Sequence, residues 1–131
     1  LINGLITNGY SGITISLPTS SAGAAFGNVS YIDTNGKAAL ASASSVSSAN
    51  NAFFIAVEAI AGLANGTYLC MGTLYTATSY TPGGLIYLSG TPGEFTQTRP
   101  VATGNVVVIL GVALTANRIF FNPQVVPVEL V

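Results

Sequence analysis

The sequence predicts an all-β protein: a small β-barrel or sandwich built from two similar β-meanders, with an extended N-terminal arm. Three observations predict it. Short apolar runs alternate with turns rich in Gly, Pro, Asn and Thr along the whole chain. Between Gly84 and Pro123 three such runs follow one another, Leu85–Leu88, Val106–Leu114 and Arg118–Phe121. Their joints carry turn chemistry: Pro82-Gly83-Gly84, Thr91-Pro92-Gly93, Thr103-Gly104-Asn105 and Asn122-Pro123. Finally, the first half of the chain repeats the order of the second.

Residues 1–26 form the expected arm or linker, and 27–131 the β-barrel or sandwich domain. In the arm, Asn3-Gly4 and Asn8-Gly9 are turn dipeptides. Ile13, Ile15 and Leu17 alternate with Thr14 and Ser16, the two-residue period of a half-buried strand, and Pro18 ends it. Pairing of this arm with a neighbouring subunit is the expectation. Thr19–Gly27 is small and reads as flexible. Val29–Asp33 and Ala38–Ala41 read as a hairpin, with Asn35-Gly36 supplying a type I′ turn. Ser42–Asn51 is a loop or a short helix. Ala52–Ile60 fits helix or strand by period alone and is assigned to strand from its counterpart in the repeat. Leu63–Gly66 turns the chain into a strand over Thr67–Gly72, and a further β-rich piece spans Thr73–Tyr80.

The repeat aligns 27–34 with 83–90, 54–60 with 110–116, and 66–71 with 116–121. It implies two similar units packed into one domain.

Composition narrows the function. The chain has 131 residues, half of them hydrophobic and 5% charged, with a net charge of −1. A globular domain averages about 25% charged residues. A surface this poor in charge is weakly protected against association, which points to burial between subunits. Neither nucleic acid nor an anionic membrane is an expected partner, because both need a basic patch. The longest apolar run, Ala52–Ala64, is interrupted by Glu58 and Gly62, so no membrane-spanning segment is expected. No basic stretch precedes an apolar segment, so no signal peptide is expected.

Catalytic chemistry finds few carriers. The chain has no histidine and one cysteine, Cys70, whose apolar surroundings suggest buried packing. Four scattered carboxylates do not suggest a metal site, although one carboxylate per subunit on a three-fold axis can hold an ion. A Ser or Thr nucleophile needs a base, and Lys37 is the only lysine. The Gly-rich stretches lack the Lys-Ser/Thr ending of a phosphate loop. Asn28-Val29-Ser30 and Asn65-Gly66-Thr67 match a glycosylation sequon without a secretory context. A Lys–Asn isopeptide link assisted by Glu58 is conceivable but outweighed by a structural role for that carboxylate. No catalytic, cofactor-binding or metal-ligating residue is therefore expected. Arg99 and Arg118 are expected to pair with Glu58, Glu94 or Glu129, within or between subunits. The aromatics Tyr75, Tyr80, Tyr87, Phe95, Phe120 and Phe121 are expected in core or interface rather than on a sugar platform.

The run Gly84-Leu85-Ile86-Tyr87-Leu88-Ser89-Gly90-Thr91-Pro92-Gly93, then Thr96-Gln97-Thr98-Arg99-Pro100, Gly104-Asn105-Val106-Val107 and Gly111 to Pro123, resembles small structural proteins of tailed bacteriophages. These are capsid decoration (cement) and head-fibre proteins. Val29–Ala43 and the stretch from Val57 to Leu69 resemble the first half of such proteins, so the resemblance covers roughly residues 27–130. It implies a β-rich homotrimer on the outside of a virion, bound to the major capsid protein and stabilising the shell, with no active site and no cofactor. Two alternatives remain beside it: a fibre head that binds a receptor or glycan, and a subunit of a non-viral extracellular filament assembled by donor strands.

Overall fold

The computed structural model describes residues 9–49, 52–123 and 128–130. The turn Asn3-Gly4 and the residue Asn8 lie outside them. The strands are β1 (Tyr10–Pro18), β2 (Val29–Ile32), β3 (Ala38–Leu40), β4 (Phe53–Ala56), β5 (Asn65–Tyr75) and β6 (Leu85–Leu88). They continue with β7 (Phe95–Thr96), β8 (Val106–Val107), β9 (Ile109–Thr115), β10 (Arg118–Phe121) and β11 (Val128–Glu129). Among the described residues one 3-10 turn, Val46–Ser48, interrupts the β structure. The all-β prediction holds.

One curled antiparallel sheet runs in the order β3-β2-β4-β5-β10-β9-β6-β7. The repeat read from the sequence is visible in that order. The half β3-β2-β4-β5 meets the half β7-β6-β9-β10 at the β5–β10 pair, so β2 corresponds to β6, β4 to β9 and β5 to β10. The match extends to the turns. Gly27 and Gly83 each precede the first strand of their half with positive φ, +88 and +82. Each half departs from a simple meander, because its hairpin partner, β3 or β7, lies on the outside of β2 or β6.

The chain after β3 draws the two ends of the sheet together. The Ala41 carbonyl accepts from the Gly93 amide, Ala43 N donates to Ser89 O, and Val106 N donates to Ala43 O, each at 2.8 Å. Ser42 Oγ adds a bond to Gly90 O at 2.8 Å. The curl thus closes around Val29, Phe53, Ile55, Leu69, Leu74, Ile86, Leu88, Val108, Leu110, Ile119 and Phe121. Burial of each large apolar side chain contributes about 1.5–3 kcal/mol. An exposed ion pair contributes about 0–1 kcal/mol. A fold nearly without charges therefore gives up little stability. A smaller cluster, Ala38, Ala56, Ile60 and Tyr68, lies apart from this core, with Leu17, Ala24, Phe54 and Ala64 packed on it.

β1 lies along the edge of β5 from Tyr10↔Leu74 to Pro18↔Asn65. The expected arm thus pairs within its own chain over these residues. Leu69 and Leu74 are both fully buried in the same core, although strict alternation would place residues five apart on opposite faces. The register shift at Ile13/Thr14, which skips Cys70 on β5, resolves the conflict.

Several sequence expectations need correction. Thr19–Gly27 is held in place: Thr19 is fully buried, Ser20 N donates to Ala38 O, and Ala24 N donates to Ile60 O. The β2–β3 turn is not type I′, because Asn35 does not share the positive φ of Gly36. The Asp33 carboxylate accepts from Asn35 N and Lys37 N at 2.8 and 2.9 Å, and Gly36 N donates to Asp33 O. That side-chain bridge favours the three-residue loop in which glycine alone is left-handed. The strand expected over Ala52–Ile60 ends at Ala56, so Glu58 is exposed. Thr67–Gly72 and the start of the expected piece Thr73–Tyr80 join into the single strand β5, which ends at Tyr75. The run Val106–Leu114 breaks at the buried Val108, where β8 leaves to pair with β11.

Candidate functional site

Two surface features stand out. The first is the outer edge of β1. No strand pairs with it among the described residues, so alternate backbone N–H and C=O groups point outward. A charged side chain is one of the common protections of a natural edge strand. Here the first charged residue of the chain is Asp33, so β1 carries no charge, and Pro18 at its end and the register shift at Ile13/Thr14 are the features that interrupt the edge. Tyr10, Ile13 and Ile15 are exposed along it, with Met71 exposed opposite Ile13. The register Thr73↔Phe120, Phe120↔Val112 and Val112↔Leu85 extends the apolar strip across the same outer face. Leu85 is exposed, while Phe120 and Val112 are half-buried.

The second feature is a cavity of about 450 Å³ between the two halves. The segment before β2, the segment after β5 and the β6–β7 turn form its walls. Phe26, Tyr80 and Phe95 supply the apolar lining, with Asn28, Thr78 and Glu94 among them. The sequence sets these positions locally. Pro92 and Gly93 make the β6–β7 turn, where Glu94 N donates to Thr91 O and Gly93 has φ +83. Asn28 is committed to structure: its Oδ1 accepts from Ala25 N at 2.8 Å and its Nδ2 donates to Gly93 O at 3.4 Å. Thr76 Oγ1 donates to Thr78 O at 3.1 Å. Burial pushes the Tyr80 phenol above its ordinary range, side-chain bonds to Thr78 and Thr76 oppose this, and the charge of Glu94 adds to it.

The expected Arg–carboxylate pairs do not form among the described residues. Arg118 instead stacks on Tyr75, with its guanidinium carbon 5.6 Å from the ring centroid and Nη1 donating to the Tyr75 hydroxyl at 3.0 Å. Its Nε is buried without a hydrogen-bond partner. Glu58 accepts from Thr67 N at 2.9 Å, which fixes it as a turn brace. Cys70 is half-buried at the β5 irregularity rather than deep in the core, and burial raises its thiol. Phe121 and Tyr75 are buried as expected; Tyr80, Tyr87, Phe95 and Phe120 are only partly so. Among the described residues no three His, Cys, Asp or Glu side chains cluster, and no helix is long and apolar enough to cross a membrane. The cavity was not legible in the sequence, because its lining comes from three segments far apart in the chain. No protein-family model, characterised protein or solved structure matches the sequence or the fold.

Proposed function

We propose that this protein is a structural subunit that docks on other protein subunits through uncharged β surface. The particular reading is a decoration protein on the outer surface of a tailed-phage head, bound to the major capsid protein as a homotrimer. One observation carries it: the unpaired edge of β1, charge-free and lined by exposed Tyr10, Ile13 and Ile15. An extended backbone edge beside apolar side chains is built to receive another strand or an apolar wall. Burial of that surface on a shell supplies the driving force, and the scarcity of charge removes the desolvation cost that ionised side chains would add.

The cavity with Phe26, Tyr80 and Phe95 favours a second reading, a fibre head that holds a ligand. The donor-strand filament is the weaker alternative. Its arm would leave a groove open in each subunit, whereas Tyr10–Pro18 already occupies the edge of its own β5.

Light scattering on the intact chain tests the assembly, with a trimer as the expected mass. The docking is tested by incubating the chain with bare heads of the phage that encodes it. Co-sedimentation at a fixed ratio to the shell subunit, with a higher temperature of head rupture, is the expected result. A chain that stays monomeric and remains in the supernatant overturns the reading.

A further inference from the structure

The cavity between the two halves has one charged group, and that group has no partner among the described residues. Its amide, Asn28, is bonded on both sides to backbone. Its Thr76 hydroxyl donates to Thr78 O at 3.1 Å, and the Thr76 and Thr78 side chains lie close enough to the Tyr80 phenol to act on it. The Glu94 carboxylate is different. It is exposed, it lines the same cavity as three aromatic rings, and no hydrogen bond or ion pair engages it among the described residues. No lysine or arginine lines the cavity.

We propose that this cavity binds a primary alkylammonium group, with Glu94 as its counter-charge and Phe26, Tyr80 and Phe95 around its apolar stem. The chemistry follows from what is unsatisfied. A sugar would need several free donors and acceptors, and the Asn28 amide and the Thr76 hydroxyl are committed to backbone. An anion would meet the Glu94 charge with no cation to offset it. An ammonium on a short hydrocarbon chain fits both parts of the lining: carboxylate attraction at one end, and hydrocarbon and cation–π contact with the rings at the other. The neutral Tyr80 phenol leaves its ring available as such a surface without adding a second charge. The volume of about 450 Å³ lies in the range of small-ligand sites. The site is separate from the β1 edge, so it stands whether or not the docking proposal does.

The ammonium can come from a free amine or from a lysine side chain of another protein. Nuclear magnetic resonance titration of the full-length labelled chain separates these sources. The probes are n-butylammonium, its neutral analogue 1-butanol, and Nα-acetyl-lysinamide. Saturable shifts at the amides of Ala77, Thr78, Gly93 and Glu94 are expected with n-butylammonium. Glu94→Gln, an exposed change on a turn, should weaken that binding at least tenfold and leave the rest of the spectrum unchanged. Binding of the lysine amide as tightly as the free amine identifies a protein side chain as the ligand, and its exclusion identifies a small amine. The proposal is overturned if 1-butanol shifts the same amides with equal affinity, if Glu94→Gln binds n-butylammonium unchanged, or if no saturable shift occurs.

Discussion

Gly12 and Gly72 face each other across the β1–β5 pair, and neither leaves space for a side-chain carbon. A Cβ on Gly72 would lie 2.1 Å from the Ser11 carbonyl oxygen, and one on Gly12 would lie 2.2 Å from that of Met71. Both also have a positive φ that residues with a side chain rarely adopt, +146 and +149. The clash is with backbone, so a rotamer change cannot relieve it. Gly72→Ala should therefore release β1 and destabilise the protein by about 2–3 kcal/mol. Urea denaturation measures the loss, and hydrogen exchange locates it. Gly36→Ala is the control: its φ is +76 but its Cβ would meet open space. That variant should cost about 1 kcal/mol and keep the β1 amides protected. Protected β1 amides in Gly72→Ala would show that the close approach is not what fixes the strand.

The same docking has a polar anchor. Thr19 Oγ1 and Tyr68 Oη are 2.7 Å apart and both residues are fully buried. Thr19→Val leaves the Tyr68 hydroxyl without its partner in an apolar cluster, at a cost of about 1–3 kcal/mol. Tyr68→Phe strands the Thr19 hydroxyl in the same way. The double variant removes both groups and should be less destabilised than the sum of the two single changes. A double-mutant cycle by thermal denaturation reads the coupling, and strict additivity would mean that the two hydroxyls do not depend on each other.

Much of this fold was legible in the residues, and the failures share a cause. Gly27 and Gly83, with the apolar runs after them, disclosed the twofold order of the sheet because turn chemistry is local. Pro82-Gly83 and Pro92-Gly93 marked real turns for the same reason. Local signals misled where a partner outside the short motif decides the outcome. Asn35-Gly36 resembled a type I′ turn until the Asp33 carboxylate took the two amides around it. Arg118 was expected to seek a carboxylate, but β10 sets it beside Tyr75 through the register Arg118↔Tyr75. Of the candidate site, the sequence disclosed the uncharged, strand-like arm. It did not disclose the cavity, where Phe26, Tyr80 and Glu94 meet only after the two halves pair.

Alkaline pH should weaken the fold through Tyr80. Burial raises its phenol above the ordinary value of 10.0. Between that value and the higher folded one, the native state holds a proton that the unfolded chain has lost. Stability is thus fully present below pH of about 10 and falls as pH rises through the folded value. The raised Cys70 thiol acts in the same direction, from its ordinary 9.0 upward. Melting temperature should be flat through neutrality from these two groups and then decline. Tyr80→Phe should make the decline shallower; an unchanged slope would remove Tyr80 as a cause.

Leu63 stands at a turn position that glycine holds elsewhere in this fold. The turns before β2, before β6, after β6 and before β8 each put glycine at their third position, with Gly27, Gly83, Gly93 and Gly104 at φ between +82 and +88. Each closes with a backbone bond from the fourth residue to the first, as in Gly84 N to Thr81 O at 3.1 Å. The turn Ala61–Ala64 closes in the same way, Ala64 N to Ala61 O at 3.1 Å, but its third residue is Leu63, with φ +66. Leu63 is 66% exposed, so little burial offsets the strained backbone. A branched side chain in the left-handed region costs about 1–2 kcal/mol. Leu63→Asn should recover about 1 kcal/mol, because asparagine tolerates that conformation without adding glycine's freedom to the unfolded chain. Leu63→Gly should gain less for that reason. The order Asn, Gly, Leu in melting temperature is the expected result, and a variant order with leucine first would mean that its side chain makes a contact worth more than the strain.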